Sequence, residues 1–205
     1  MARAKTRDPE ATRSALLDAA EAVFLEKGFG NAALSEIARK AKVTKSLIHH
    51  YFGSKGGLWR AVKKRRFSKY AETQLAMLRD AGRPTTELLR QSIAFFFNFL
   101  KQNPEMVRIM AWMFLERDQE ECLFKDRELN ELGVAKLREA QEAGLLRPDV
   151  DARFVLFTFV GLAQHWFQDK AHFLEDFDTD GLPEDLDAAY LDAIQKIFFE
   201  GILVR

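Results

Sequence analysis

One short stretch concentrates the side chains best suited to recognition chemistry: Thr44, Lys45, Ser46, Leu47, His49 and His50, with Tyr51 and Lys55 just beyond. Hydroxyls, imidazoles and ammonium groups within a few helical turns can exchange hydrogen bonds with base edges and neutralise phosphates. The same residues do not make a catalytic centre. His49 and His50 are adjacent, so their side chains diverge by about 100° around a helix and do not converge on one ligand, Cys122 is the single cysteine, and no Ser/His/Asp or metal-ligand spacing occurs. The expectation is no catalytic residue, no metal and no cofactor, hence no enzyme.

These side chains need a fixed platform, and residues 34–55 (LSEIARKAKVTKSLIHHYFGSK) have the form of a helix-turn-helix. Leu34, Ile37, Ala38 and Ala41 recur at i, i+3, i+4 and i+7, one apolar face of a first helix. Lys42-Val43 makes the turn, Val43 plugs the angle between the helices, and Thr44 is the expected N-cap of the second. Ile48 and Phe52 are four apart and share its buried side. At about 100° per residue, Ser46, His49 and His50 fall opposite Ile48, leaving a polar face of the kind that enters a major groove.

The charge distribution agrees. Residues 1–70 carry 16 basic and 6 acidic side chains, residues 71–205 carry 15 and 25, and the formal net charge of zero hides that asymmetry. Eleven Lys or Arg and no Asp or Glu occur between Glu36 and Glu72. A basic head on an acidic body points to nucleic acid.

The AAEAVFLEKGF run, the SEIARKAKVTKS turn and the YFGSKGGLW close, all between Thr12 and Trp59, resemble the N-terminal domain of the TetR family of transcriptional regulators. Two positions depart from that pattern. Ala33 stands where these proteins usually have a capping Ser or Thr, although Glu36 keeps the other half of the capping box. His49 stands where they usually have a Tyr that contacts the DNA backbone. The resemblance implies an all-α fold of about nine helices: an N-terminal three-helix head and a C-terminal helical ligand-binding and dimerisation domain. It also implies a homodimer on a near-palindromic DNA operator, most simply a repressor released by a small-molecule effector. Thr44, Lys45, Ser46, Leu47, His49, His50, Tyr51 and Lys55 are the expected DNA contacts.

Around that head, Met1, Arg3, Lys5 and Arg7 begin a basic arm, read as a solvated tail or an auxiliary phosphate contact. Asp8-Pro9 is a cap followed by an N1 proline. Leu16, Leu17, Ala20, Val23 and Phe24 form the buried stripe of the first helix, which Gly28 ends. Ser54 is the expected cap of a lever helix over residues 55–80, and Lys55 in its first turn is a phosphate candidate. Of Lys63-Lys64-Arg65-Arg66, most are expected on a solvated face. The head is assigned to residues 1–54 and the body to 81–205, with Ala81-Gly82-Arg83-Pro84 as the boundary.

Beyond the boundary lie 14 of the 18 phenylalanines. Helices are expected over residues 85–102, 104–116, 120–143, 151–170 and 184–204. Residues 154–163 form the longest apolar run, about half of what a membrane span needs. Together with the single cysteine and the absence of a signal-peptide pattern, that predicts a cytoplasmic protein without a membrane partner. Family resemblance implies an effector pocket among the aromatic helices. Phe96, Asn98, Phe99, Met110, Met113, His165 and Trp166 are the candidate lining, and an apolar, neutral effector is expected. Ala189, Ala193, Ile197 and Gly201 form one seam beside Tyr190, Ile194 and Phe198, and Val155, Phe159, Leu162 and Trp166 form another on the helix before, marking the last two helices as the dimer seam. The stretch Asp176, Asp178, Asp180, Gly181 and Glu184 follows a calcium-loop pattern, but Asp187 replaces the bidentate Glu and Pro183 occupies position 8. An acidic surface loop is the expected reading, with cation binding as the rival. For the whole chain the rival is an architectural DNA-binding protein of the same fold without an effector.

Overall fold

The structure, a computed structural model, describes residues 8–80, 85–116, 127–178 and 180–203. The basic arm, the boundary at Ala81–Pro84, Cys122, the start of the helix expected from Glu120, and Thr179 lie outside the described residues. Among those described there are nine helices and no strand: α1 Pro9–Asn31, α2 Leu34–Lys40, α3 Lys45–Phe52, α4 Lys55–Leu78, α5 Thr85–Gln102, α6 Pro104–Leu115, α7 Arg127–Glu142, α8 Ala152–Asp176 and α9 Leu186–Ile202. The all-α expectation therefore holds. No helix among the described residues is long and apolar enough to cross a membrane.

The chain forms two compact units. The first is Met1–Ser68 with Arg108–Leu123, the second Lys69–Val107 with Phe124–Arg205. Helices α4 and α6 contribute residues to both.

In the first unit the Asp8 carboxylate accepts from Glu10 N at 3.0 Å and Pro9 opens α1. Leu16, Leu17, Ala20, Val23 and Phe24 are buried as the periodicity required, and so are Ile37, Ile48, Leu58 and Trp59 of the helices that follow. Phe24 meets the Trp59 ring edge-on at 4.9 Å. At Gly28 φ is +76° and helical geometry is broken, although helix resumes as far as Asn31. A Cβ there would lie 2.5 Å from Glu116 Oε1 and 2.7 Å from Trp112 Cε3, so α6 is seated on the break. Trp112 Nε1 donates to the Leu25 carbonyl at 3.2 Å and Gly30 N to Glu116 Oε1 at 2.9 Å. The unit thus takes in a piece of chain that periodicity could not assign to it.

Two expected caps are replaced by other bonds. Thr44 makes no side-chain cap; its hydroxyl meets Ser46 Oγ at 2.8 Å. Glu36 does not close a capping box, because its carboxylate takes Lys27 Nζ at 2.7 and 2.8 Å, leaving Ala33 to cap α2 through its carbonyl alone. Lys42 turns the chain with a left-handed φ of +55°. Ser54 does cap α4, accepting from Gly57 N at 3.0 Å.

The second unit is built around α5, which packs on α7, α8 and α9 and buries Leu88, Leu89, Ile93, Phe96, Phe97 and Leu100. Asp151 and Asp185 cap α8 and α9 through Arg153 N and Ala188 N. Arg147 N donates to Ile202 O at 2.7 Å, tying the α7–α8 turn to the end of α9. Asp187, position 12 of the calcium-loop pattern, is engaged by side chains of α8: its Oδ1 accepts from Trp166 Nε1 at 2.9 Å and from Lys170 Nζ at 2.6 Å. Among the described residues no three His, Cys, Asp or Glu gather as a metal site. Val155, Phe159 and Trp166, placed on a dimer seam from sequence, are core residues of this unit. The exposed large apolar side chains on the same two helices are Phe154 (68% exposed), Phe157 (77%), Leu174 (42%) and Ile197 (70%).

Candidate nucleic-acid interface and cavity

The α2–α3 pair presents α3 by burying one side of it. Ile48 is fully enclosed, while Thr44, Lys45, Ser46, His49 and His50 are exposed and Leu47 and Tyr51 half-buried. His49 Nδ1 sits 3.0 Å from the Gly53 carbonyl, which orients the ring, and His50 meets Tyr51 edge-on at 5.3 Å. Hydroxyl, ammonium and two imidazoles on one face can both donate and accept, which is what base edges and phosphates require.

Lys55 is employed differently from the other seven expected contacts. Its ammonium donates to Gly30 O at 2.9 Å and lies 4.8 Å from the Phe29 ring centre. Burial lowers its pKa, and the nearby Glu116 carboxylate works against that shift. Gly30 is therefore held by both its peptide atoms, its N–H by Glu116 and its carbonyl by Lys55.

The basic cluster on α4 is also differently arranged from the expected solvated face. Lys63 is buried over Trp59, 5.4 Å from the ring centre. Arg65 Nη1 pairs with Asp18 at 2.7 Å and its Nη2 with Glu21 at 2.8 Å; Arg66 Nε bonds Glu21 at 2.9 Å and its Nη2 reaches the same oxygen. Burial alone would raise the Glu21 carboxyl, but the hydrogen bonds and charges of Arg66 and Arg65 outweigh it and hold it below the ordinary value. One of the four cations thus lies over Trp59, one turn earlier on α4 itself, and two brace α4 against α1. The acids that pair them, Asp18 and Glu21, lie more than forty residues upstream, out of reach of a local charge pattern.

The second unit holds a partly open cavity of about 70 Å³. Its wall is apolar for the most part, from Leu89, Ile93 and Phe96 on α5, Leu129 and Leu137 on α7, and Val155 and Phe159 on α8. Tyr70, Gln74, Ser92 and Asn130 are the polar lining residues, and no lining residue is charged. Tyr70 is stacked on Phe99 at 4.5 Å, and burial raises its hydroxyl pKa.

Of the seven residues expected at a ligand site, the structure puts Phe96 on this wall and Phe99 behind Tyr70. Asn98 is exposed, and His165 is exposed beside Asp169 at 2.7 Å. Met110 is buried and Met113 half-buried in the first unit, and Trp166 is buried against Tyr190 at 4.2 Å. Gln74, Leu129, Gly133 and Leu137 were missed. The one available signal was the i, i+4 pair Tyr70 and Gln74, uncharged in a helix otherwise rich in charge.

Comparison with known proteins agrees with this geometry. Residues 16–62 match the family model described as bacterial regulatory proteins, tetR family, and residues 93–196 the one described as tetracyclin repressor-like, C-terminal domain. The HTH-type transcriptional repressor SCO4008 of Streptomyces coelicolor is 29% identical over 159 residues, 77% of this chain and 79% of its own. The HTH-type transcriptional repressor NicS of Pseudomonas putida is 26% identical over 178 residues, 84% of this chain and 83% of its own. A solved structure of a Clostridium perfringens putative fatty acid metabolism regulator superposes with a TM-score of 0.72 at 20% identity, covering 93% of this chain and 100% of that one. With the helix-turn-helix geometry in place and the second model spanning half of the chain, the protein belongs to the TetR family of bacterial transcriptional regulators.

Proposed function

We propose that this regulator is a cytoplasmic repressor that binds a near-palindromic operator as a homodimer and leaves it when a small, uncharged, mainly apolar effector fills the cavity of the second unit. The observation that carries the reading is the cavity itself, whose lining includes Tyr70, Gln74 and Leu78 of α4. The same helix supplies Leu58, Trp59 and Val62 to the core beneath the DNA-reading face. A ligand that favours one arrangement of α4 would bias the operator-binding state by no more than its preference for that arrangement. Residues Phe154 and Phe157 on α8, with Ala193, Ile197 and Gly201 on α9, are the exposed apolar surface offered to a second copy. Thr44, Lys45, Ser46, Leu47, His49, His50 and Tyr51 face the operator. Lys55 acts from behind by holding Gly30. Both relatives named above are described as repressors, which supports the sign of regulation.

The test is selection of bound sequences from a random duplex pool at two salt concentrations, followed by operator titrations with a panel of neutral apolar compounds. An enriched palindrome whose affinity falls when a compound is added supports the reading. Enrichment that no compound weakens would leave an architectural DNA-binding protein.

A further inference from the structure

The cavity wall holds one polar atom that the described residues leave unsatisfied. Gln74 is 5% exposed, and its Nε2 donates to Ser92 Oγ, but its Oε1 has no hydrogen-bond partner among the described residues. A buried carbonyl oxygen without a donor is costly and uncommon. Gln74 and Ser92 both line the cavity, so a molecule inside it meets that amide.

We infer that the cavity takes an uncharged, mainly apolar molecule carrying a hydroxyl group, which donates its proton to Gln74 Oε1. The inference rests on the proposed reading that this cavity is the ligand site. A hydroxyl suits the position because it both donates and accepts, and so matches a carboxamide whichever of its two ends faces the cavity. A carboxylate does not suit it. No lining side chain is cationic, and a buried carboxylate without a cation or several donors is expensive. The volume of about 70 Å³ sets the scale of the body. It is roughly half that of the ~150 Å³ engineered cavity that admits benzene, so a single ring enters with a modest shift of the Leu and Phe walls.

Calorimetric titration of the full chain with phenol, benzene and benzoate tests this. Phenol is expected to bind at least about tenfold more tightly than either of the others. In Gln74→Leu the advantage over benzene is expected to vanish, whereas Ser92→Ala, which leaves Oε1 in place, is expected to keep it. The wild-type ranking decides the matter even if the leucine variant does not fold. Equal affinities for phenol and benzene overturn the proposal and leave the effector reading standing; benzoate as the tightest overturns both the hydroxyl and the uncharged character of the proposed effector. A clear phenol preference that leaves affinity for the selected operator unchanged would support the ligand chemistry and overturn the effector reading. No heat and no change in melting temperature with any of the three would overturn both.

Discussion

Glu21→Gln is the perturbation that most directly weighs the α1–α4 brace. Glu21 is 6% exposed and accepts from Arg65 Nη2 at 2.8 Å, from Arg66 Nε at 2.9 Å and from Arg66 Nη2. A hydrogen bond to a charged group is worth about 1.5–3 kcal/mol. Glutamine keeps one carbonyl acceptor, and both arginine side chains remain 33% exposed, so water recovers part of the loss. The expected cost is about 2 kcal/mol, a fall in melting temperature of roughly 4–8 °C for a chain of this size. The pH dependence carries the sharper sign. The folded-state pKa of Glu21 is depressed, so its contribution is complete above the unfolded value of about 4.3 and is lost as pH falls through the lower folded value. Melting followed by circular dichroism should therefore show a constant gap between wild type and variant from about pH 5 to 8, closing below about pH 4. A gap that widened with acid would mean that burial outweighs the arginines. No gap at neutral pH would mean that the brace carries no net stability. A double-mutant cycle with Arg66→Gln should return a coupling of about 1–3 kcal/mol.

Three further outcomes are expected. Lys45→Ala should lower the slope of log affinity against log salt by about one, whereas Arg66→Gln should leave that slope alone and lower the melting temperature; the reverse pattern in operator titrations would move Arg66 to the DNA face. Gly28→Ala should destabilise the first unit by about 1–3 kcal/mol, because the new Cβ would meet Trp112 and Glu116 at a φ of +76°; a melt identical to wild type would refute the seating of α6 on the break. Ile197→Glu should shift sedimentation from dimer to monomer while preserving helical circular dichroism, since Ile197 is 70% exposed and contributes little to the core of its own chain; an unchanged dimer would place the interface elsewhere.

What could be read in the sequence was local. Asp8-Pro9, the α3 face opposite Ile48, and the bounds of α5 follow from caps and spacings within a few residues of one another. The face of α3 was legible because burial on one side of a two-turn helix fixes the other side. Partners far apart in sequence were not legible. A run of four cations reads as a solvated face until Asp18 and Glu21 are known to lie beside it. The lining of the cavity was missed for a similar reason. Gln74, Gly133 and Leu137 belong to helices whose hydrophobic pattern says which side is buried but not which neighbour buries it. Aromatic density drew attention to Met110, Met113 and Trp166, and those side chains fill space between helices rather than edge a void.

The first unit is assembled from two stretches of chain that are far apart in the gene, and its seam is closed by main-chain atoms. Trp112 grips the Leu25 carbonyl, and Glu116 and Lys55 grip the two peptide atoms of Gly30. Bonds to the backbone do not depend on the side chain carried there, so position 30 accepts alanine, whose Cβ would just touch Glu116 Oε1 at 3.4 Å, where positions 55, 112 and 116 cannot change. Recombination between relatives obeys the same rule. A module cut at a single crossover after Ser68 would leave Trp112 and Glu116 with the donor and open the niche over Gly28 to water. A chimera that exchanges operator specificity needs either a second crossover carrying the end of α6, or a recipient that already has a tryptophan and a glutamate at those places.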